Sequence, residues 1–184
     1  MDTQELSYEQ AQRRELAALI EAIELPELNR RYLLQRWLDQ LLWAEGRATH
    51  ARNRHYVLRV MAIVGGVIVP ALVSLTVQGA IQSVISWTTF AVSLAVAIAL
   101  ALENFFRWGE RWTHYRRLAE LLKSEGWLYL QLGNPYADLG THARAYPEFV
   151  KRVESLLGAD VDVFIAQVAR DKGKAAEGAA EEKK

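Results

Sequence analysis

Between Arg59 and Glu103 the chain carries no Asp, Glu, Lys, Arg or His. A spanning helix needs about 20 apolar residues to cross roughly 30 Å of hydrocarbon, and the uncharged stretch is about twice that. Its polar residues gather near the middle, at Gln78, Gly79, Gln82, Ser83 and Ser86. The pattern predicts two crossings, at about 57–77 and 87–106, joined by a tight uncharged turn.

On either side of this stretch the apolar residues recur at helical spacing. Leu16, Leu19, Ile20 and Ile23 share one face of an expected amphipathic helix from Ser7 to Leu25, with Ser7 as a cap and Pro26 as a stop. This helix makes a first segment, 1–26. A second helix from Glu27 carries Leu34, Trp37, Leu41, Ala44, Ala48, Ala51 and His55 at alternating steps of three and four, a coiled-coil seam. Nothing breaks it before the first crossing, where Pro70 should bend it and Gly65 and Gly66 let another backbone approach. Ala62, Gly66, Pro70, Ser74 and Gln78 form one narrow, small or polar face.

In the second crossing Ala91, Ala95 and Ala99 mark one small-residue face, and Ser93, Ala97 and Ala101 another. A two-helix protomer offers only one internal partner, so the second face predicts a homo-oligomer. The same helix is expected to continue past the membrane, with Phe105, Trp108, Trp112, Tyr115, Ala119, Leu122, Gly126 and Tyr129 as a second seam. The two seams should pair as an antiparallel stalk. Gly133, Asn134 and Pro135 end that helix, Gly140 marks a loop, and a further helix runs from Ala145 to Leu157, ended by Gly158. Asp160 caps a last helix to about Val168. The principal domain is thus 27–170, followed by a charged tail, 171–184, without large apolar residues and expected to be disordered.

Charge sets the orientation. Arg47, Arg52, Arg54 and Arg59 precede the first crossing, and Arg107, Arg111, Arg116, Arg117 and Lys123 follow the second, while the connecting turn has no basic residue. By the positive-inside rule both termini are expected in the cytoplasm. The 184 residues have a net charge of zero, which argues against a dedicated nucleic-acid surface. The absence of cysteine excludes disulfides and thiolate zinc sites. The amino terminus begins with acidic residues, so no cleavable signal peptide is expected.

Chemistry-bearing constellations are few. His50 and His55 lie five residues apart, roughly 140° around a helix, and cannot share a metal as an i, i+4 pair would. No phosphate loop, nucleophile elbow or metalloprotease motif occurs, so neither enzyme activity nor a cofactor or metal is expected. Glu103, Glu110 and His114 are the single acidic and histidine cluster near the interface. Glu103 is read either as an i, i+4 ion pair with Arg107 or as part of an acidic ring at a pore mouth. A stripe of Ser86, Thr89, Ser93, Ala97 and Asn104 lines either a water path or a helix contact whose hydroxyls bond to backbone carbonyls. Gly65, Gly66 and Pro70 offer a hinge.

Four stretches carry a family resemblance: RYLLQRW at Arg31 to Trp37, the Gly66 to Pro70 element, ENFFRWGERWTHYRRLAELLKSEGWLY at Glu103 to Tyr129, and YPEFVKRVE at Tyr146 to Glu154. From about Leu28 to Arg170 the chain resembles the SLATT family of two-helix membrane domains, found beside nucleotide-signalling proteins in prokaryotic conflict systems. The resemblance implies a membrane effector that oligomerises into a pore or channel. No family site residues carry over, and with no fused nucleotide-sensing domain, a cytoplasmic protein or a nucleotide is expected as trigger.

The expected fold is therefore an all-α membrane protein, a two-helix hairpin continuing into a helical stalk with short terminal amphipathic helices. Two functions fit: a homo-oligomeric channel that passes ions along the second crossing, and a non-conducting anchor that recruits a signalling partner. Replacing Ser93 or Asn104 should alter conductance in the first and not in the second.

Overall fold

The computed structural model describes residues 2–75 and 80–160. Among them the secondary structure is entirely helical. Helix α1 spans Asp2–Ala22 and α2 Glu27–Tyr32; a π-helical segment, Leu33–Leu38, leads into α3, Asp39–Ser74. Helix α4 spans Ala80–Phe106 and α5 Trp108–Leu130, a 3-10 turn covers Ala137–Leu139, and α6 runs over 142–160.

Several boundaries differ from expectation. Helix α1 starts before Ser7, which lies inside it, and Pro26 is the N-cap of α2. Helix α4 begins at Ala80, so Gln82, Ser83 and Ser86 are helical; Gln78 and Gly79 of the expected turn lie outside the described residues. Gly158 does not end α6, and Asp160 is within it. The last expected helix and the tail lie outside the described residues.

The chain divides into two compact units, one of Met1–Ala44 with Arg117–Lys184 and one of Glu45–Arg116. The first has an apolar core centred on Trp37, 1% exposed. Its indole N–H donates to the Leu122 carbonyl at 3.0 Å, and its ring meets Phe149 edge-on at 6.0 Å. Gly126 makes this possible, since a Cβ there would lie 1.9 Å from the Trp37 ring. The buried positions of α6, Ala145, Phe149, Val153 and Leu157, recur every fourth residue and present one face to this core.

The π-helical segment extends the seam beyond its expected residues. In an α-helix residues five apart diverge by about 140°, whereas i→i+5 geometry stacks them. Leu33 and Leu38 are thereby buried together with Trp37. Leu16 and Ile20 of α1 join the same core, while Leu19, assigned to that face, is 41% exposed.

Two Tyr–Glu–Arg groups bind α6 to its neighbours. Glu154 accepts from Tyr32 at 2.7 Å and from Arg36 through two bonds of 2.9 and 3.0 Å. The buried Glu125 accepts from the Tyr136 hydroxyl and from Arg152 at 2.7 Å. Helix α5 ends with Leu132 at φ 49, and the N–H groups of Leu132 and Gly133 reach back to Tyr129 and Leu128, a Schellman closure. The left-handed residue is Leu132, directly before the expected helix end at Gly133.

In the second unit α3 and α4 carry the two apolar stretches. Both are long and apolar enough to cross a membrane, and 6% of each stretch is buried. That exposure is the opposite of a soluble core helix: Val60, Ile63, Val67, Ile81, Val84 and Phe90 all project outward. The packed positions of α3 step from Leu58 through Ala62, Gly65 and Val69 to Leu72. Gly65, not Gly66, makes the close approach, because a Cβ there would lie 2.1 Å from Val96. Gly66, Pro70 and Ser74 are exposed.

Gly126→Ala should therefore destabilise the fold by about 1–3 kcal/mol, the usual cost of overpacking, measured by chemical unfolding followed by circular dichroism. A pH titration should reveal two limits. Its hydrogen bonds with Arg36 hold the Glu154 carboxyl below its ordinary 4.5; the stabilisation is present above that value and lost as pH falls through the depressed one. Burial pushes the hydroxyls of Tyr32, Tyr129 and Tyr136 above 10; their contribution is complete below 10 and lost as pH rises through the higher values. Phenolate absorbance from these three should appear only together with loss of helix signal.

Candidate functional site

The second unit places two titratable side chains at the ends of its apolar stretches. Helix α3 supplies His55, the last member of the first seam, and α4 supplies Glu103. His55 Nδ1 lies 2.6 Å from Glu103 Oε1, with side-chain exposures of 23% and 18%. With Nδ1 protonated, the ring donates to the carboxylate. The other oxygen, Glu103 Oε2, is buried and without a hydrogen-bond partner.

Helix α5 closes this pair. Trp112 stacks on His55 with centroids 6.4 Å apart and packs against Tyr56 at 5.8 Å. Gly109 faces the imidazole, and a Cβ there would come within 3.1 Å of the ring. The site is thus an imidazole–carboxylate couple, walled by indole and backbone, where an apolar helix becomes polar.

Its geometry depends on Arg107, which stands between α4 and α5 at φ 50. Left-handed backbone costs a residue with a side chain roughly 1–2 kcal/mol, and such outliers cluster at functional sites. The helix expected to run unbroken is interrupted here, although the Arg107 N–H still reaches the Glu103 carbonyl at 2.8 Å. Arg107 pairs with Glu110 at 2.6 Å rather than with Glu103. The expected i, i+4 pair fails because the bend turns the Arg107 side chain toward α5 while Glu103 faces α3. The break also leaves Phe105 80% exposed, outside the seam it was assigned to, whereas Ala119, Leu122, Gly126 and Tyr129 are buried as expected.

The stripe on α4 does not form one surface. Ser86, Ala97 and Asn104 are exposed, whereas Thr89 and Ser93 are half-buried on the side that carries Val96 and the buried Ala99. The Ser86 and Thr89 hydroxyls donate to the carbonyls of Gln82 and Ile85, at 3.0 and 2.8 Å. Of the small-residue faces, Ala91 and Ala95 are exposed and Ala99 is buried, while Ala97 and Ala101 are exposed. Of the expected cluster, Glu103 pairs with His55 and Glu110 with Arg107. Among the described residues no three His, Asp or Glu side chains gather as metal ligands would. His50 is exposed and apart from His55.

Spacing along each helix by itself does not show the His55–Glu103 couple. Its signal was present: His55 closes one seam, Glu103 ends the uncharged stretch, and two antiparallel helices bring those points level. Replacing His55 by Leu should lower stability by about 1–3 kcal/mol, the cost of an unsatisfied buried acceptor. Thermal unfolding in detergent should show the double replacement His55→Leu with Glu103→Leu recovering much of that loss.

A search of curated proteins and of solved structures finds no significant match. The chain does match a family described as a protein of unknown function, DUF4231, over residues 39–144. The match takes in α3, α4, α5 and the 3-10 turn, and with them His55, Gly65, Glu103, Arg107 and Trp112. On this match, which covers more than half of its length, the chain belongs to the DUF4231 family.

Proposed function

We propose that the protein is a membrane channel or pore-forming effector of the SLATT type, assembled from several copies of this chain. In this reading α3 and α4 form a transmembrane hairpin in a prokaryotic inner membrane. The basic flanks of both helices keep the two termini in the cytoplasm. The seams of the helices that leave the bilayer form a stalk that controls opening, and a cytoplasmic protein or a nucleotide supplies the trigger. Ions are the cargo, and no cofactor is needed.

The observation that carries this reading is the set of small and polar side chains that the protomer leaves uncovered on otherwise apolar helices. Gly66, Pro70 and Ser74 on α3 and Ser86, Ala97 and Asn104 on α4 are exposed. Lipid gains nothing from such residues, whereas a neighbouring helix packs closely on them, and an axis lined by them admits water. Glu103 stands at the cytoplasmic mouth of that path, held by His55. Gly65, Gly66 and Pro70 supply the hinge.

A second reading, a non-conducting scaffold that recruits a signalling partner, is favoured by the hydroxyls of Ser86, Thr88 and Thr89. Each is already satisfied by a carbonyl of its own helix.

Full-length protein in liposomes separates the two. A channel should pass monovalent cations when a trigger is present, and Asn104→Leu should reduce that flux several-fold while leaving the oligomer intact in detergent. Vesicles that stay tight across voltage, calcium and nucleotide would favour the scaffold.

A further inference from the structure

On the second unit, α3 and α4 flank an apolar groove of about 380 Å³ that ends against Trp108. Its walls are Val57 and Leu58 on one side and Leu102 and Phe106 on the other, with Arg54 at the mouth. The left-handed Arg107 builds its end. Residues two apart on a continuous helix point about 160° away from each other, yet Phe106 and Trp108 stack at 5.2 Å because Arg107 turns the chain between them.

Two cations surround that indole. The Arg54 guanidinium lies 4.6 Å from the Trp108 ring and that of Arg111 5.7 Å. Neither makes an ion pair with a carboxylate among the described residues. A guanidinium resting on an aromatic face keeps its in-plane N–H donors free for a planar or tetrahedral anion. The arrangement has an apolar slot at the level of the apolar helices and two unneutralised forks at its polar end.

We propose that this groove binds one anionic phospholipid of the cytoplasmic leaflet, with an acyl chain along Val57, Leu58, Leu102 and Phe106 and the phosphate between Arg54 and Arg111. Charge and polarity complementarity choose this occupant. A neutral helix would leave both guanidinium groups unmet, and a soluble phosphate would leave the slot empty. The inference rests on the membrane placement proposed above and not on conduction. The strained Arg107 acquires a reason, since it sets Phe106 and Trp108 as the corner between chain and headgroup.

The full chain, purified in detergent, can be titrated with dioleoyl phosphatidylglycerol or dioleoyl phosphatidylcholine and followed by native mass spectrometry. One phosphatidylglycerol per protomer should be retained in preference to phosphatidylcholine. Arg54→Gln with Arg111→Gln should weaken retention about ten- to thirty-fold, from about 1 kcal/mol per basic residue. Arg52→Gln with Arg59→Gln, which removes the same charge away from the groove, should change it little. Leu102→Trp, which fills the slot and leaves the charge unchanged, should also abolish preference and guards against a misfolded arginine variant. Equal retention of both lipids, an equal loss in the Arg52/Arg59 variant, or displacement by millimolar glycerol 3-phosphate would overturn the proposal, the last by assigning the site to a soluble phosphate. Extraction of native membranes with alkaline carbonate is read separately. Release of the protein would sink the membrane placement, whereas retention without lipid preference would sink the lipid site alone.

Discussion

Everything in the second unit follows from one constraint: its helices carry no ionisable side chain between Arg59 and Glu103. Charge is thereby confined to the ends of the apolar stretches, and three helices meet there. An acidic side chain at such a boundary must find a partner or water. Glu103 finds His55, and the ring in turn needs the indole of Trp112 and the bare backbone of Gly109. Arg107, next in line, is left to turn outward and take up Glu110. The left-handed residue, the aromatic corner and the apolar groove are consequences of the same crowding.

The first unit solves a different problem, joining segments from both ends of the chain into one core. Its solution is an indole laid on a glycine. Trp37 fills the space that any side chain at Gly126 would take, and the remaining apolar residues arrange themselves around it. Polar contacts then lock the orientation of α6. Glu125 and Glu154 each bind a tyrosine hydroxyl and an arginine fork, the strong, charge-assisted class of hydrogen bond. Glu125 is nearly sealed from water, so its two partners are what make its burial tolerable.

Periodicity made the helices and most of the seams legible. Trp37, Leu41, Ala44, Ala48, Ala51, Ala119, Leu122 and Tyr129 are buried where steps of three and four placed them. What escaped were the departures from ideal helix. The π-helical turn at Leu33–Leu38 changes which residues share a face, and no residue type announces it. Arg107 and Leu132 adopt left-handed backbone without being glycine, and turn signals are read from glycine and asparagine. With nothing in the residue types to mark the break at Arg107, spacing pairs Glu103 with a residue one turn along its own helix, whereas its partner His55 lies across on α3. The difference between Gly65 and Gly66 was likewise undecidable from spacing, since either glycine admits a close neighbour and only the packing phase selects one.

The discontinuity of the first unit bears on how the protein is made. Leu33, Trp37 and Leu41 emerge early from the ribosome, but the residues that cover them, Leu118, Leu122, Phe149 and Val153, are encoded after the whole apolar insert. Until α4 and α5 have been synthesised, the early helices expose an unfinished apolar face, including a large indole with no glycine beneath it. Contacts of such long sequence separation form late. The order of synthesis thus obliges the apolar helices to find their environment before the first unit can close, and leaves the N-terminal segment in need of shelter in the interval.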